Sequence, residues 1–139
     1  MTRSRIQVVF FDAADTLFHI HGSVAEIYLQ HAEKHGFRKT PESLTAIKSA
    51  FARSFRDAPP PGVAATEPAA IKQSERLWWF DIVHNVFYRV GMFEAFDEFF
   101  EDVFARFEQP ESWRLFPETL AVLTALKEQG FELGIISNF

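Results

Sequence analysis

The sequence predicts an α/β fold, with two parallel strands at opposite ends of the chain and a long helical insertion between them. Three observations lead there. Ile6-Gln-Val-Val-Phe-Phe11 and Phe131-Glu-Leu-Gly-Ile-Ile136 are short apolar runs rich in β-branched and aromatic residues. They are too short for helices and read as strands buried on both faces. The stretch between them carries apolar residues at helical spacing. It is also far longer than the dozen or so residues, usually a single helix, that a plain parallel crossover needs.

The elements follow in order. The first strand ends at Asp12-Ala-Ala-Asp-Thr16, a turn of small and polar residues. Ser23 to His35 puts Val24, Ile27, Tyr28 and Ala32 on one helix face and stops at Gly36. Thr40-Pro41-Glu42 is a helix start, with a hydroxyl cap, a proline at the first position and an acid in the first turn. Leu44, Ile47, Phe51 and Phe55 continue that helix, and Pro59-Pro60-Pro61-Gly62 forces a loop. Ala69 to Val90 is apolar nearly all round, as expected of a helix in the middle of a bundle. Phe93, Phe96, Phe99, Phe100, Phe104 and Phe107 line one face of an acidic helix. After Gln109-Pro110 the pattern changes. Phe116-Pro117-Glu118 opens a helix with Leu120, Leu123 and Leu126, which stops at Gly130 before the second strand.

Composition narrows the class of partner. The chain has 139 residues, of which 47% are hydrophobic and 24% charged, within the globular range. Its net charge of −5 offers no broad attraction for nucleic acid or an anionic membrane, so neither is expected as a partner. No cysteine is present, which removes disulfides and thiolate chemistry and makes a cytoplasmic address the expectation. The basic start Met1-Thr-Arg-Ser-Arg5 looks like a signal-peptide opening, but the apolar run after it breaks at Asp12, too early for a signal core. Seventeen phenylalanines imply a large buried aromatic surface and say nothing of chemistry.

In open α/β sheets, ligands bind beyond the carboxyl ends of the strands. Asp12–Thr16 and Ser137-Asn138 are therefore expected at one mouth. A carboxylate just past a buried strand, followed by the small Ala13 and Ala14, suits phosphoryl transfer. Asp12 would attack phosphorus and carry the phosphoryl group. A hydroxyl and turn N–H groups would hold the other oxygens, and Mg²⁺ would relieve the repulsion between carboxylate and phosphate. Read from the residues alone, Asp12 either does this or merely caps a turn.

Val8-Val-Phe-Phe-Asp12-Ala-Ala-Asp-Thr16-Leu17-Phe18 resembles motif I of the haloacid dehalogenase superfamily, and Gly134-Ile-Ile-Ser137-Asn138-Phe139 resembles its motif II. The helical block lies where that family inserts its helical cap. Asp-x-x-Asp-Thr in motif I, the Trp78-Trp79 pair followed by Asp81, and Phe107-Glu-Gln-Pro-Glu-Ser-Trp113 resemble one branch within it. The resemblance implies a partial Rossmann-like core from residues 1–18 and 109–139, and a cap from 19–108. It implies Asp12 as nucleophile and metal ligand, the Ala14 carbonyl as a second Mg²⁺ ligand, and Thr16, Ser137 and Asn138 on the phosphate side. The implied activity is a Mg²⁺-dependent phosphatase acting on a small phosphorylated metabolite.

Two departures from the family pattern matter. The position two after the nucleophile, where the family's phosphatases carry an acid that protonates the leaving group, is Ala14; Asp15 stands one place further on. The family's third and fourth motifs lie downstream of motif II, and this sequence stops at Phe139. A truncated chain is expected on that ground, or a half-core whose open strand edges self-associate or pair with a partner. The missing acid keeps two other readings open. One is a non-catalytic binding or scaffold protein on the same fold. The other is a haloacid dehalogenase, whose halide leaves without a proton.

The remaining polar residues read as structural. His31 and His35 have the i, i+4 spacing that can grip a metal, but no third ligand stands out and a solvated helix face is expected. Glu94, Asp97, Glu98, Glu101 and Asp102 read as the wet face of the phenylalanine-striped helix. Trp78 and Trp79 read as core packing. His19 and His21 either face the site mouth or belong to a linker.

Overall fold

The computed structural model describes residues 6–62 and 66–137. The elements run β1 (Val8–Phe11), β2 (Phe18–Ile20), α1 (Val24–Lys34), α2 (Ser43–Asp57), α3 (Pro68–Val90), α4 (Phe96–Phe107), a 3₁₀ turn (Pro110–Ser112), β3 (Trp113–Leu115), α5 (Thr119–Glu128) and β4 (Glu132–Ile135). They fall into two units: Met1–His21 with Gln109–Phe139, and Gly22–Glu108. Among the described residues no helix is long and apolar enough to cross a membrane.

In the first unit β1 and β4 pair in parallel, with Val8 opposite Glu132 and Phe11 opposite Ile135. The fold class is thus α/β with a parallel core sheet. Backbone bonds extend the ladder at both ends, from Glu132 N–H to the Gln7 carbonyl at 2.8 Å and from Ile136 N–H to the Phe11 carbonyl at 2.9 Å. Gly134 stands opposite Phe10. A Cβ on Gly134 would lie 2.6 Å from a Phe10 ring carbon, so the ring covers the glycine and occupies the space a side chain would take.

The strands are not buried on both faces. Phe10 is 58% exposed and Ile135 is 61% exposed. Burying both faces of a parallel strand takes neighbours above and below it. Here the sheet has two strands, and α5 is the one helix of this unit among the described residues.

A second, antiparallel pair joins β2 to β3, with His19 opposite Arg114 and Ile20 opposite Trp113. The His21 N–H donates to the Ser112 carbonyl at 2.7 Å. Residues 19–21, expected in the insertion, therefore lie in the first unit. No apolar alternation over so short a stretch announces such a pairing.

The second unit is a helical bundle. Ser23 caps α1 by accepting the Glu26 N–H at 3.2 Å. Helix α2 starts two residues later than the Thr40-Pro41 signal suggests, at the buried Ser43, whose hydroxyl accepts the Thr40 N–H at 2.9 Å. The core is aromatic. Tyr28, 2% exposed, meets Phe51, Phe87, Phe99 and Phe107 with ring centroids 5.8–6.4 Å apart. Burial pushes its phenol well above the usual range. Helix α3 is buried at Ile82, Val83, Val86 and Phe87, while Ile71, Leu77 and Tyr88 remain exposed. It is central to the bundle along its second half only.

His31 and His35 are not on a solvated face. His31 Nδ1 on α1 lies 2.8 Å and Nε2 of His35, the C-cap of α1, lies 3.3 Å from the same Oδ2 of Asp102 on α4. One carboxylate thus joins the last turn of α1 and its C-cap to α4. The hydrogen bond from His31 holds the Asp102 carboxyl below its ordinary value, with help from His35 and against partial burial. Among the described residues no set of three His, Asp or Glu side chains is arranged to hold a metal.

Two predictions follow from this packing. Phe99→Ala removes a ring with no exposed surface and should cost about 3–5 kcal/mol of stability in urea denaturation. Because the Asp102 carboxyl is depressed in the folded state, its contribution is full above the unfolded value of 3.8 and is lost as pH falls through the folded value. The stability gap between the protein and Asp102→Ala should therefore close in strongly acid solution, as followed by thermal melts at falling pH.

Candidate functional site

The parallel register decides which residues share the carboxyl end of the sheet. With Phe11 opposite Ile135 and Ile136 bonded to Phe11, Asp12 and Ser137 leave neighbouring strands at the same end. Asn138 lies outside the described residues.

After Asp12 the chain makes a tight turn around one carbonyl. The Ala13 oxygen accepts from Thr16 N–H at 3.2 Å and from Leu17 N–H at 2.8 Å. The Asp15 N–H donates to the Phe18 carbonyl at 2.7 Å. These bonds consume the N–H groups of residues 15–17. The N–H groups of Ala13 and Ala14 make no such bond among the described residues, so they are the turn donors available to an anion. Small side chains at both positions keep the approach to them open.

Asp12 is exposed. Its Oδ2 accepts a hydrogen bond from the Thr16 hydroxyl at 3.2 Å. That bond orients the carboxylate and leaves its other oxygen uncommitted. No Lys or Arg pairs with Asp12 among the described residues, so its charge is not already neutralised. An oxygen-only set of one carboxylate, a backbone carbonyl and a hydroxyl matches the hard-ligand chemistry of Mg²⁺, which commonly takes only one or two carboxylates and completes its shell with water and phosphate oxygens.

Asp15 sits in the left-handed region, at φ +60°. Glycine enters this region freely; among other residues Asp and Asn are the most tolerant. Its carboxylate has no partner among the described residues.

Sequence reasoning missed the anchor of the turn. The buried Thr119 hydroxyl at the start of α5 donates to the Leu17 carbonyl at 2.7 Å, and the Phe116 N–H donates to the same oxygen at 3.2 Å. Thr119 follows Phe116-Pro117-Glu118, a visible helix start, but nothing in the sequence ties it to residue 17. His19 is in β2, its Nδ1 3.0 Å from the Ile20 carbonyl and its ring against Phe116 at 4.9 Å between centroids.

A family model described as haloacid dehalogenase-like hydrolase matches residues 6–139. The haloacid dehalogenase-like hydrolase domain-containing protein 3 of Danio rerio is 26% identical over 140 residues, covering 99% of this chain and 55% of that protein. Its Bos taurus counterpart is 24% identical over 140 residues, covering 99% and 53%. The uncharacterized protein YMR130W of Saccharomyces cerevisiae is 30% identical over 138 residues, covering 97% and 43%. The chain thus spans about half the length of the curated relatives it matches.

The turn geometry gives a stability prediction. Asp15→Ala, at φ +60°, should lower stability by about 1 kcal/mol, and Asp15→Gly should be neutral or stabilising. Chemical denaturation of the two variants reads the difference.

Proposed function

The chain belongs to the haloacid dehalogenase-like hydrolases, and from that premise we propose that it carries the nucleophile half of a Mg²⁺-dependent phosphatase acting on a small phosphorylated metabolite. The observation that supports this most is the Asp12 turn. It combines an unpaired carboxylate oriented by Thr16 with free N–H groups on Ala13 and Ala14 at the end of a parallel strand.

The uncommitted Asp12 oxygen attacks phosphorus, the bond to the leaving oxygen breaks, and an aspartyl-phosphate forms. Water then attacks that phosphorus and regenerates the carboxylate. The Ala13 and Ala14 N–H groups and the Ser137 hydroxyl serve the remaining phosphoryl oxygens as charge shifts onto them. Asp12 and the Ala14 carbonyl would hold Mg²⁺, which offsets the repulsion between carboxylate and phosphate.

Ala14 shapes the substrate range. It cannot protonate a leaving alkoxide, and general acid catalysis is worth about 10²–10⁴-fold. Substrates whose leaving group departs as a stable anion, such as aryl phosphates, should be turned over in preference to alkyl phosphates. The same Ala14 favours a second reading, a phosphate-binding protein that keeps the fold and performs no chemistry.

One experiment separates the two. Under the phosphatase reading, Asp12→Asn abolishes Mg²⁺-dependent hydrolysis of p-nitrophenyl phosphate. Ala14→Asp raises turnover of an alkyl phosphate by up to about 10²–10⁴-fold, and of the aryl phosphate by less. Turnover that survives Asp12→Asn rules the mechanism out. The absence of turnover in both the protein and Ala14→Asp selects the binding reading.

A further inference from the structure

The helical unit contains a pocket that the phosphoryl-transfer reading does not use. It lies between the end of α2 and the middle of α3 and encloses about 140 Å³. That is several times the roughly 10–15 Å³ that one water needs on the same measure, room for a small metabolite. Ser54, Asp57, Trp78, Asp81, Asn85 and Arg89 supply its chemistry.

Ser54 stands behind the pocket wall. The residue is 5% exposed, and its hydroxyl, buried on the pocket wall, has no hydrogen-bond partner. Buried hydroxyls are ordinarily satisfied, and one that is not calls for an explanation.

Charge order is the reason to read the pocket as a binding site. Asp81, Asn85 and Arg89 follow one another at i, i+4 and i+8 on α3, so they share one face. Their sequence is negative, neutral, positive. Neither Asp81 nor Arg89 has an ion-pair partner among the described residues. Arg89 Nη1 lies 3.5 Å from the Asn85 carbonyl, which brings the guanidinium back about one turn toward Asp81. At about 1.5 Å per residue the remaining separation along the axis is roughly 6–7 Å.

The opposite wall adds to the negative end. Ser54–Asp57 is the last turn of α2, where free carbonyls carry partial negative charge. The Asp57 carboxylate is there too, shared with the exposed Arg53 and Arg56 at 3.6 and 3.5 Å. Trp78 closes the side. Its indole N–H is committed to the Pro59 carbonyl at 2.7 Å, so the ring is pinned and offers an apolar wall.

We propose that this pocket binds a small zwitterion of the α-amino acid class. Asp81, Asp57 and the carbonyl end of α2 take its ammonium group. Arg89 and Asn85 take its carboxylate. The span between Asp81 and the guanidinium is filled by two charge-assisted hydrogen bonds and the short step between the ligand's own charges. A short aliphatic side chain rests on Trp78. The proposal is independent of the chemistry at Asp12.

The test uses the 139-residue chain and a panel of the proteinogenic amino acids at millimolar concentration, with ethylamine and propionate as single-charge controls. Binding is read by saturation-transfer NMR and by the Trp78 indole N–H resonance. At least one amino acid should shift that resonance saturably, while neither control does. Asp81→Asn and Arg89→Gln, both at exposed positions, should each weaken binding by about tenfold or more. Ser54→Ala, which removes a buried unmatched hydroxyl that the ligand does not touch, should leave ligand binding unchanged. A silent panel overturns the proposal. So does ethylamine binding that equals the amino acid's and ignores Arg89→Gln, and so does amino acid binding that survives both charge variants.

Discussion

Parallel pairing of β1 with β4 brings residues from opposite ends of the chain into one ladder, and the geometry of the Asp12 site depends on it. The register alone sets Asp12 beside the strand end that leads to Ser137. A slip of one residue would turn every side chain of the strand to the other face. Gly134 contributes to that register, because the ring of Phe10 occupies the place its side chain would take. The turn that follows is held from the far side by Thr119 and Phe116, both bonded to the Leu17 carbonyl. The Asp12 turn is thus clamped by the strand before it and by the start of α5 after it.

The helical unit has a different basis. Its stability comes from interlocked aromatic rings centred on Tyr28, Phe87 and Phe99, a large area of apolar surface removed from water. Against that background its polar groups stand out. The His31–Asp102–His35 cluster joins two helices, and the Ser54 pocket leaves a hydroxyl unmatched. The first is internally satisfied and needs no ligand, whereas the second is not.

At the candidate site some features were legible from residues alone. A short apolar strand running into Asp12, small residues after it, and Thr16 four positions on were enough to suggest an anion site, because those patterns are local. The strand-like run at 131–136 suggested the second wall. Ala14 was legible as a departure from the family pattern. Three features were not. The left-handed backbone at Asp15 depends on a bond to the Phe18 carbonyl. The Thr119 anchor joins residues far apart in the chain. The β2–β3 pair consists of two strands of three residues each, below the length at which alternation carries a signal.

By itself the sequence determined the class of β1, β4 and the helices between them. Apolar periodicity, caps, prolines and the long gap between two strand-like runs report local backbone preference and its spacing along the chain. It also singled out the Asp12 turn as the candidate site. Tertiary structure decided what contacts what. It moved the unit boundary past His21, exposed strand faces expected to be buried, and turned a supposed solvated His31–His35 face into a clip on Asp102. It also set Asp81, Asn85 and Arg89 of α3 against the end of α2. Those outcomes depend on which surfaces meet in space, and local pattern carries no record of a partner that lies elsewhere in the chain.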